Sequence, residues 1–395
     1  MASVVDTSVK HAYSRMTGAP AISATAGALL GVLRAFLVTG WGLKAVDSAM
    51  ISNGVCRLNF ASGKSAAEFH SVILIAGASP AALNGEQRIT AVASGWVEFK
   101  TDLPDGSVTG AINFKMAPLG FEEAFPGTTT KAVFRSKDVS GTRAFFRVDD
   151  SNPTAARVQM YESMTDIDTG LAVSPLTVAG GYYWTKSPVA ASTPRNWLLI
   201  GDSRGFYFVN TPYNDSSITA VTCGGYGLVS RYFGDIKSHR SGDAWCGFLS
   251  GASVDTWNSI QGCIFQDDSS AGSSLQRAST GLGAGQQTSR NVLSGGISGY
   301  QGPFGAFPAR ANNGLHLSEI PISDAGWSSG PRGVMPGAYH CLQSGVAAAL
   351  GFDIRFTDGQ GEFLGKQLLS ISIGSPSSMN NGLAFFDATD PWRVE

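Results

Sequence analysis

Trp197-Leu198-Leu199-Ile200-Gly201-Asp202-Ser203-Arg204-Gly205-Phe206-Tyr207-Phe208-Val209 is two apolar runs joined by five small or polar residues. Short apolar runs bounded by turn chemistry read as strands. Gly-Asp-Ser-Arg-Gly suits the turn, because glycine takes positive φ cheaply and aspartate bonds its own backbone. The stretch predicts a β-hairpin at the centre of the fold.

The same rhythm runs outward from it. Toward the N-terminus, Ala156-Arg157-Val158-Gln159-Met160-Tyr161, Ala144-Phe145-Phe146-Arg147-Val148 and Lys131-Ala132-Val133-Phe134-Arg135 read as strands. Asp138-Val139-Ser140-Gly141 and Asp149-Asp150-Ser151-Asn152-Pro153 are their turns. Residues 364–373 add a closing strand and 346–350 a single helical turn. Earlier still, residues 46–115 hold Val55-Cys56-Arg57-Leu58-Asn59-Phe60, Val72-Ile73-Leu74-Ile75-Ala76-Gly77, Ile89-Thr90-Ala91-Val92, Trp96-Val97-Glu98-Phe99 and Gly106-Ser107-Val108-Thr109-Gly110. Asn84-Gly85 is a tight-hairpin signal, since both residues tolerate positive φ. The spacing predicts a small β module over 46–115, separable from a main β domain over 116–395. Strands do not alternate with helices, which argues against a parallel α/β sheet. The expected class is mainly β, with antiparallel sandwich-like or barrel-like domains and one N-terminal helix.

That helix lies in the segment 1–45. Leu29, Leu30, Leu33, Phe36 and Leu37 recur at helical spacing. Ser23 or Thr25 is suited to cap its start, and Gly40 sits where a left-handed stop belongs. Its apolar stripe needs a partner, either its own domain or a neighbouring subunit. Residues 266–302 are polar and rich in glycine and serine, and are expected to form a surface arm that orders against a partner.

Composition narrows the function. The chain has 395 residues, 49 glycines, 17 prolines, 43% hydrophobic and only 15% charged residues. A net charge of −2 gives no basic footprint for nucleic acid or an anionic membrane surface. The apolar run at 26–41 contains Arg34 and is shorter than the ~20 residues that span a bilayer. It also lacks a cleavage pattern, so a soluble protein made in a cytoplasm is expected. Cys56, Cys223, Cys246, Cys263 and Cys341 form no CxxC, and no zinc-type spacing joins them to His11, His70, His239, His316 or His340. They read as small buried hydrophobes. No metal or cofactor is expected.

Leu199-Ile200-Gly201-Asp202-Ser203 resembles the nucleophile block of SGNH (GDSL) esterases, which would make Ser203 an acyl nucleophile. The companion Asp-x-x-His is missing: Asn313 stands three before His316 and Gly337 three before His340. Ser203 also runs into a strand, where the esterase serine opens a helix. The pairs Asp149/Asp150, Glu122/Glu123 and Asp166/Asp168 suit acid–base work, and Asp353, Asp358 and Glu362 suit calcium. All sit among turn residues, where such side chains bond their own backbone. Tyr182-Tyr183-Trp184, Trp245, Trp257 and Trp327 have the chemistry for sugar stacking, but their neighbours suit core or interface packing better.

Val9-Lys10-His11-Ala12-Tyr13-Ser14, Met16-Thr17-Gly18-Ala19-Pro20 and Thr25-Ala26-Gly27-Ala28-Leu29-Leu30 resemble the opening of a family of tailed-bacteriophage structural proteins. Phe146-Arg147-Val148-Asp149-Asp150, Ala156-Arg157-Val158 and Tyr161-Glu162-Ser163-Met164-Thr165-Asp166-Ile167-Asp168-Thr169-Gly170 are similar to the same family and are the most specific match. Tyr183-Trp184-Thr185-Lys186-Ser187 and Trp197-Leu198-Leu199-Ile200 continue it. Ile73-Leu74-Ile75-Ala76-Gly77-Ala78-Ser79-Pro80, through Leu83-Asn84-Gly85, resembles a small β module of phage tail and fibre proteins. The resemblance implies a virion structural protein assembled in the host bacterial cytoplasm, in the tail or baseplate more than on the capsid. It implies homo-oligomeric contacts, other virion proteins as partners, and no catalytic residues. The alternatives are a capsid decoration protein and an SGNH-like hydrolase using Ser203.

Overall fold

The structure is a computed structural model. It describes residues 3–61, 63–212, 228–257, 259, 261–265, 272–287, 289–290, 305–324, 330–341, 343–373 and 382–393. The protein is mainly β, with antiparallel sheets and one main helix. At its centre Trp197–Asp202 pairs with Gly205–Asn210, with Asp202 opposite Gly205 across a two-residue turn. Every residue of both strands is buried.

Period-two alternation sends their side chains into two different cores. Trp197, Leu199, Phe206 and Phe208 enter one; Leu198, Ile200, Tyr207 and Val209 enter the other. The hairpin belongs to a seven-stranded sheet. Lys10–Tyr13 forms one edge, and Val229–Asp235, Gly247–Ser250, Ser273–Arg277 and Ala284–Gln287 extend the other side. The first core is shared with a five-stranded sheet of Phe121–Phe125, Lys131–Ser136, Phe145–Asp149, Ala155–Tyr161 and Tyr182–Thr185. There Phe146 stacks on Phe233 at 4.4 Å and meets Trp184 at 5.1 Å. The second core is shared with a C-terminal sheet that includes Leu317–Ser323, Pro331–Cys341, Gln367–Ile373 and Gly382–Asp387. Three sheets thus stack with two cores between them.

Residues 44–116 form an eight-stranded, strongly bent sheet. Gly85–Ala93 makes the corner: residues 85–88 pair with Val72–Ala76, and residues 89–93 with Trp96–Lys100 after a bulge between Ile89 and Ala91. Asn84-Gly85 is not a two-residue hairpin turn. Residues 77–84 make the connection, and Asn84 braces it by accepting from Ala78 N at 2.8 Å and donating to Ala78 O at 2.9 Å. The interior of this sheet, including Ile73, Val97 and Phe114, is continuous with the first core.

The helix is Ala28–Arg34, continued as a wider π turn over Ala35–Thr39. Leu29, Leu30, Leu33, Phe36 and Leu37 are all buried within this chain, so the stripe is spent on its own core and not on a neighbouring subunit. Neither Ser23 nor Thr25 caps it. Leu29 N and Leu30 N donate instead to Asp150 Oδ2 at 2.8 and 3.2 Å, and Gly40 stops it at φ +67°. Among the described residues no helix is long and apolar enough to cross a membrane.

The polar arm expected at 266–302 is corrected in part. Ser273–Arg277 and Ala284–Gln287 are paired strands of the central sheet, and Ser273, Ser274, Leu275 and Gln276 are buried. Tyr182 and Ser274 hydroxyls hydrogen-bond at 2.9 Å, and Gln276 Oε1 accepts from Gly247 N at 3.1 Å. Polar side chains with such partners are buried at little cost. Residues 266–271 and 291–302 lie outside the described residues.

Candidate functional site

Ser203 sits in the two-residue turn of the central hairpin, followed directly by the strand Gly205–Asn210. Its hydroxyl donates to Asp138 Oδ2 at 2.6 Å, and its carbonyl accepts from Ser136 Oγ at 2.5 Å. The Asp138 turn and the Ser203 turn are thereby fastened to each other. Burial raises the Asp138 carboxyl, but donors from Ser140 and Ser203 outweigh it and hold the group below its ordinary range. A stabilised carboxylate is a poor base for a serine hydroxyl. His340 lies inside the strand Pro331–Cys341 and His316 in the loop before Leu317–Ser323.

Beside the turn opens a cleft of about 660 Å³, lined in part by Thr142, Arg204, Lys237, Arg240, Cys246 and Arg393. Its cations are tied to structural partners. Arg204 Nε donates to Asp235 Oδ2 at 3.1 Å, and Arg240 to the Ser279 carbonyl. Arg393 donates to Asp202, to the Asp235 carbonyl and, at 3.1 Å, to the Tyr232 hydroxyl. One wall is held by Arg332, which pairs with Asp243 and Asp324, both at 2.9 Å. Burial pushes the Cys246 thiol up to about 12, leaving it protonated and unreactive.

The carboxylate pairs of the sequence are separated by their roles. Asp150 is fully buried; its Oδ1 accepts from Lys186 Nζ at 2.5 Å while its Oδ2 caps the helix. Burial raises Asp150 and lowers Lys186, each against the pull of its partner. Asp149 faces Lys131 and Arg147. Glu122 binds Arg135 at 2.7 Å, and Glu123 binds Arg34 at 2.8 Å. Asp168 is gripped by Arg147, while Asp166 accepts from its own turn at Asp168 N and Thr169 N, both at 2.8 Å. Asp353 pairs with Arg15 at 2.9 Å and Asp358 with Gln367. Among the described residues no three histidine, cysteine, aspartate or glutamate side chains converge as a metal site.

Tyr182 and Trp184 are core residues, and Tyr183 lies under the Arg157 guanidinium at 3.8 Å. Trp245 is covered by Arg277 at 4.0 Å. Cys56, Cys246 and Cys341 are buried free thiols, and Cys263 is buried with its Sγ accepting from Arg231 Nη1 at 3.0 Å. Cys223 and Trp327 lie outside the described residues.

The residue that joins most of the molecule escaped the sequence reading. Arg88 is 1% exposed and donates to five backbone carbonyls: Asp6 at 2.6 Å, His70 at 2.8 Å, Val9 at 2.9 Å, Ala388 at 3.0 Å and Thr389 at 3.4 Å. It ties the N-terminal segment, the bent sheet and the C-terminal segment in one knot. In sequence it is one cation in an ordinary strand. No family model matches this chain, and no curated protein aligns with it significantly.

Proposed function

We propose that the protein is a structural subunit of a tailed-bacteriophage particle, assembled in the host cytoplasm and placed in the tail or baseplate. It acts through contacts between copies of itself and other virion proteins. One observation carries this reading: the side chains with catalytic potential are used to fasten chain segments together. Ser203 is fixed to Asp138, Asp150 to Lys186 and the helix, and Glu122 and Glu123 to arginines. The resemblance of residues 9–30 and 146–170 supplies the particle type. Contact points are offered in turns and a short edge hairpin, where Val139, Leu171 and Leu282 stand 82%, 73% and 73% exposed. Apolar side chains left in solvent around a rigid body suit subunit contacts.

Quantitative mass spectrometry of purified particles tests the reading. The protein should be present at a fixed copy number, and a fluorophosphonate probe should leave Ser203 unlabelled. Absence from particles, or labelling of Ser203 with ester hydrolysis lost in Ser203→Ala, would overturn it.

A further inference from the structure

On the outer face of the C-terminal sheet lies a second cleft, of about 520 Å³, between the loop 307–317 and the segment 357–363. Its floor is an unsealed part of a small core: Phe307, Leu317 and Phe363 are only partly buried there, around the buried Leu368. Its rim is polar. Asn313, Gln360 and Glu362 are exposed, and among the described residues their side chains have no hydrogen-bond partner. Thr357 also lines the cleft, with its hydroxyl turned out of solvent and, among the described residues, without a partner.

The walls are not casual loops. Gln343, 1% exposed, accepts from His316 N at 2.7 Å and donates to the Gly314 and Ala306 carbonyls at 3.2 and 3.4 Å. Phe363 is set edge-on against Tyr339 at 4.8 Å. The cleft is therefore held in shape before any ligand arrives.

We propose that this cleft binds a neutral oligosaccharide. A pyranose ring presents one apolar C–H face and a girdle of hydroxyls. The first matches the Phe307–Phe363 floor, and the second matches amides that both donate and accept, with carboxylates that accept. Among the described residues no lysine or arginine lines the cleft, while Asp358 and Glu362 do, so phosphate, carboxylate and sialylated ligands are repelled. The inference does not rest on the virion reading, because it concerns binding by the isolated chain.

Saturation-transfer NMR on the full chain tests it, with neutral oligosaccharides of glucose, galactose, mannose and N-acetylglucosamine at millimolar concentration. At least one should receive saturation. Gln360→Ala should weaken its binding about tenfold without moving the thermal melt, since that side chain is exposed and among the described residues has no hydrogen-bond partner. Phe363→Ala should abolish binding, with circular dichroism confirming the fold. Three results would overturn the proposal: no transfer to any neutral sugar, transfer unchanged in both variants, or transfer confined to sialyllactose or to tetramethylammonium.

Discussion

His11 lies in the edge strand Lys10–Tyr13, 1% exposed, and among the described residues neither ring nitrogen is hydrogen-bonded. It packs against Phe356 at 5.2 Å; His70 meets the same ring at 5.1 Å, and Arg88 is nearby. Burial first, then the charges of Arg88 and His70, lower His11 from 6.5 to about 3. Burial and Arg88 likewise lower His70 to about 4. Below pH 6.5 the unfolded chain takes up protons that the folded chain refuses, so stability is full above 6.5 and falls as pH drops toward 3. For His11 the loss at pH 4.5 is about 2–3 kcal/mol, two pH units below its ordinary value. His11→Leu should leave the urea midpoint at pH 7 unchanged or higher, because no polar atom is then buried unpaired. Its midpoint should fall less than the parent's between pH 6.5 and 4.5. Parallel pH profiles would show that His11 is not the sensor.

At the scale of elements, the helix at 28–39 shows what local sequence fixes and what it leaves open. Five apolar residues at helical spacing and a glycine beyond them place its face and its end. Gly40 is needed twice: φ is +67°, and a Cβ there would meet the Met116 carbonyl oxygen at 2.1 Å. Gly40→Ala should therefore cost more than the ~1 kcal/mol of an ordinary left-handed alanine. A guanidinium melt with an unchanged midpoint would sink that argument. The start of the helix was not legible, because its cap, Asp150, comes from 120 residues away. The central hairpin was legible from its turn, and so was the unsuitability of Ser203, which enters a strand. Lys10–Tyr13 was not, since Lys-His-Ala-Tyr becomes a strand only beside Trp197–Asp202. The strand Ser273–Arg277 was misread as arm because its polar composition suggests solvent, while its partners Tyr182 and Gly247 are distant in sequence. The second cleft escaped for the same reason: it joins residues about fifty positions apart.

At the scale of the molecule, the bent sheet decides whether the chain is one cooperative body. The strand spacing over 46–115 suggests a unit that could be cut away. The contacts argue otherwise. Arg88 spans the N-terminal segment, the bent sheet and the C-terminal segment, and burial lowers its guanidinium only to about 10, so it remains charged at neutral pH. Lys10 adds an ion pair to Glu86 at 2.8 Å. The helix, the bent sheet and the central sheet also share one core, so excision would bare part of it to water. Each fully buried apolar side chain is worth roughly 1.5–3 kcal/mol. Arg88→Met keeps most of the volume but leaves buried carbonyls without a donor, at a cost on the order of 3–5 kcal/mol. Calorimetry should then show the whole chain melting several degrees lower, in one transition shared by all sheets. Replacing 46–115 by a short linker should give a broad, early melt and strong binding of a hydrophobic dye. If Arg88→Met lowers only a minor transition, or the excised chain melts as sharply and as late as the parent, the bent sheet is an appendage and the knot at Arg88 is local.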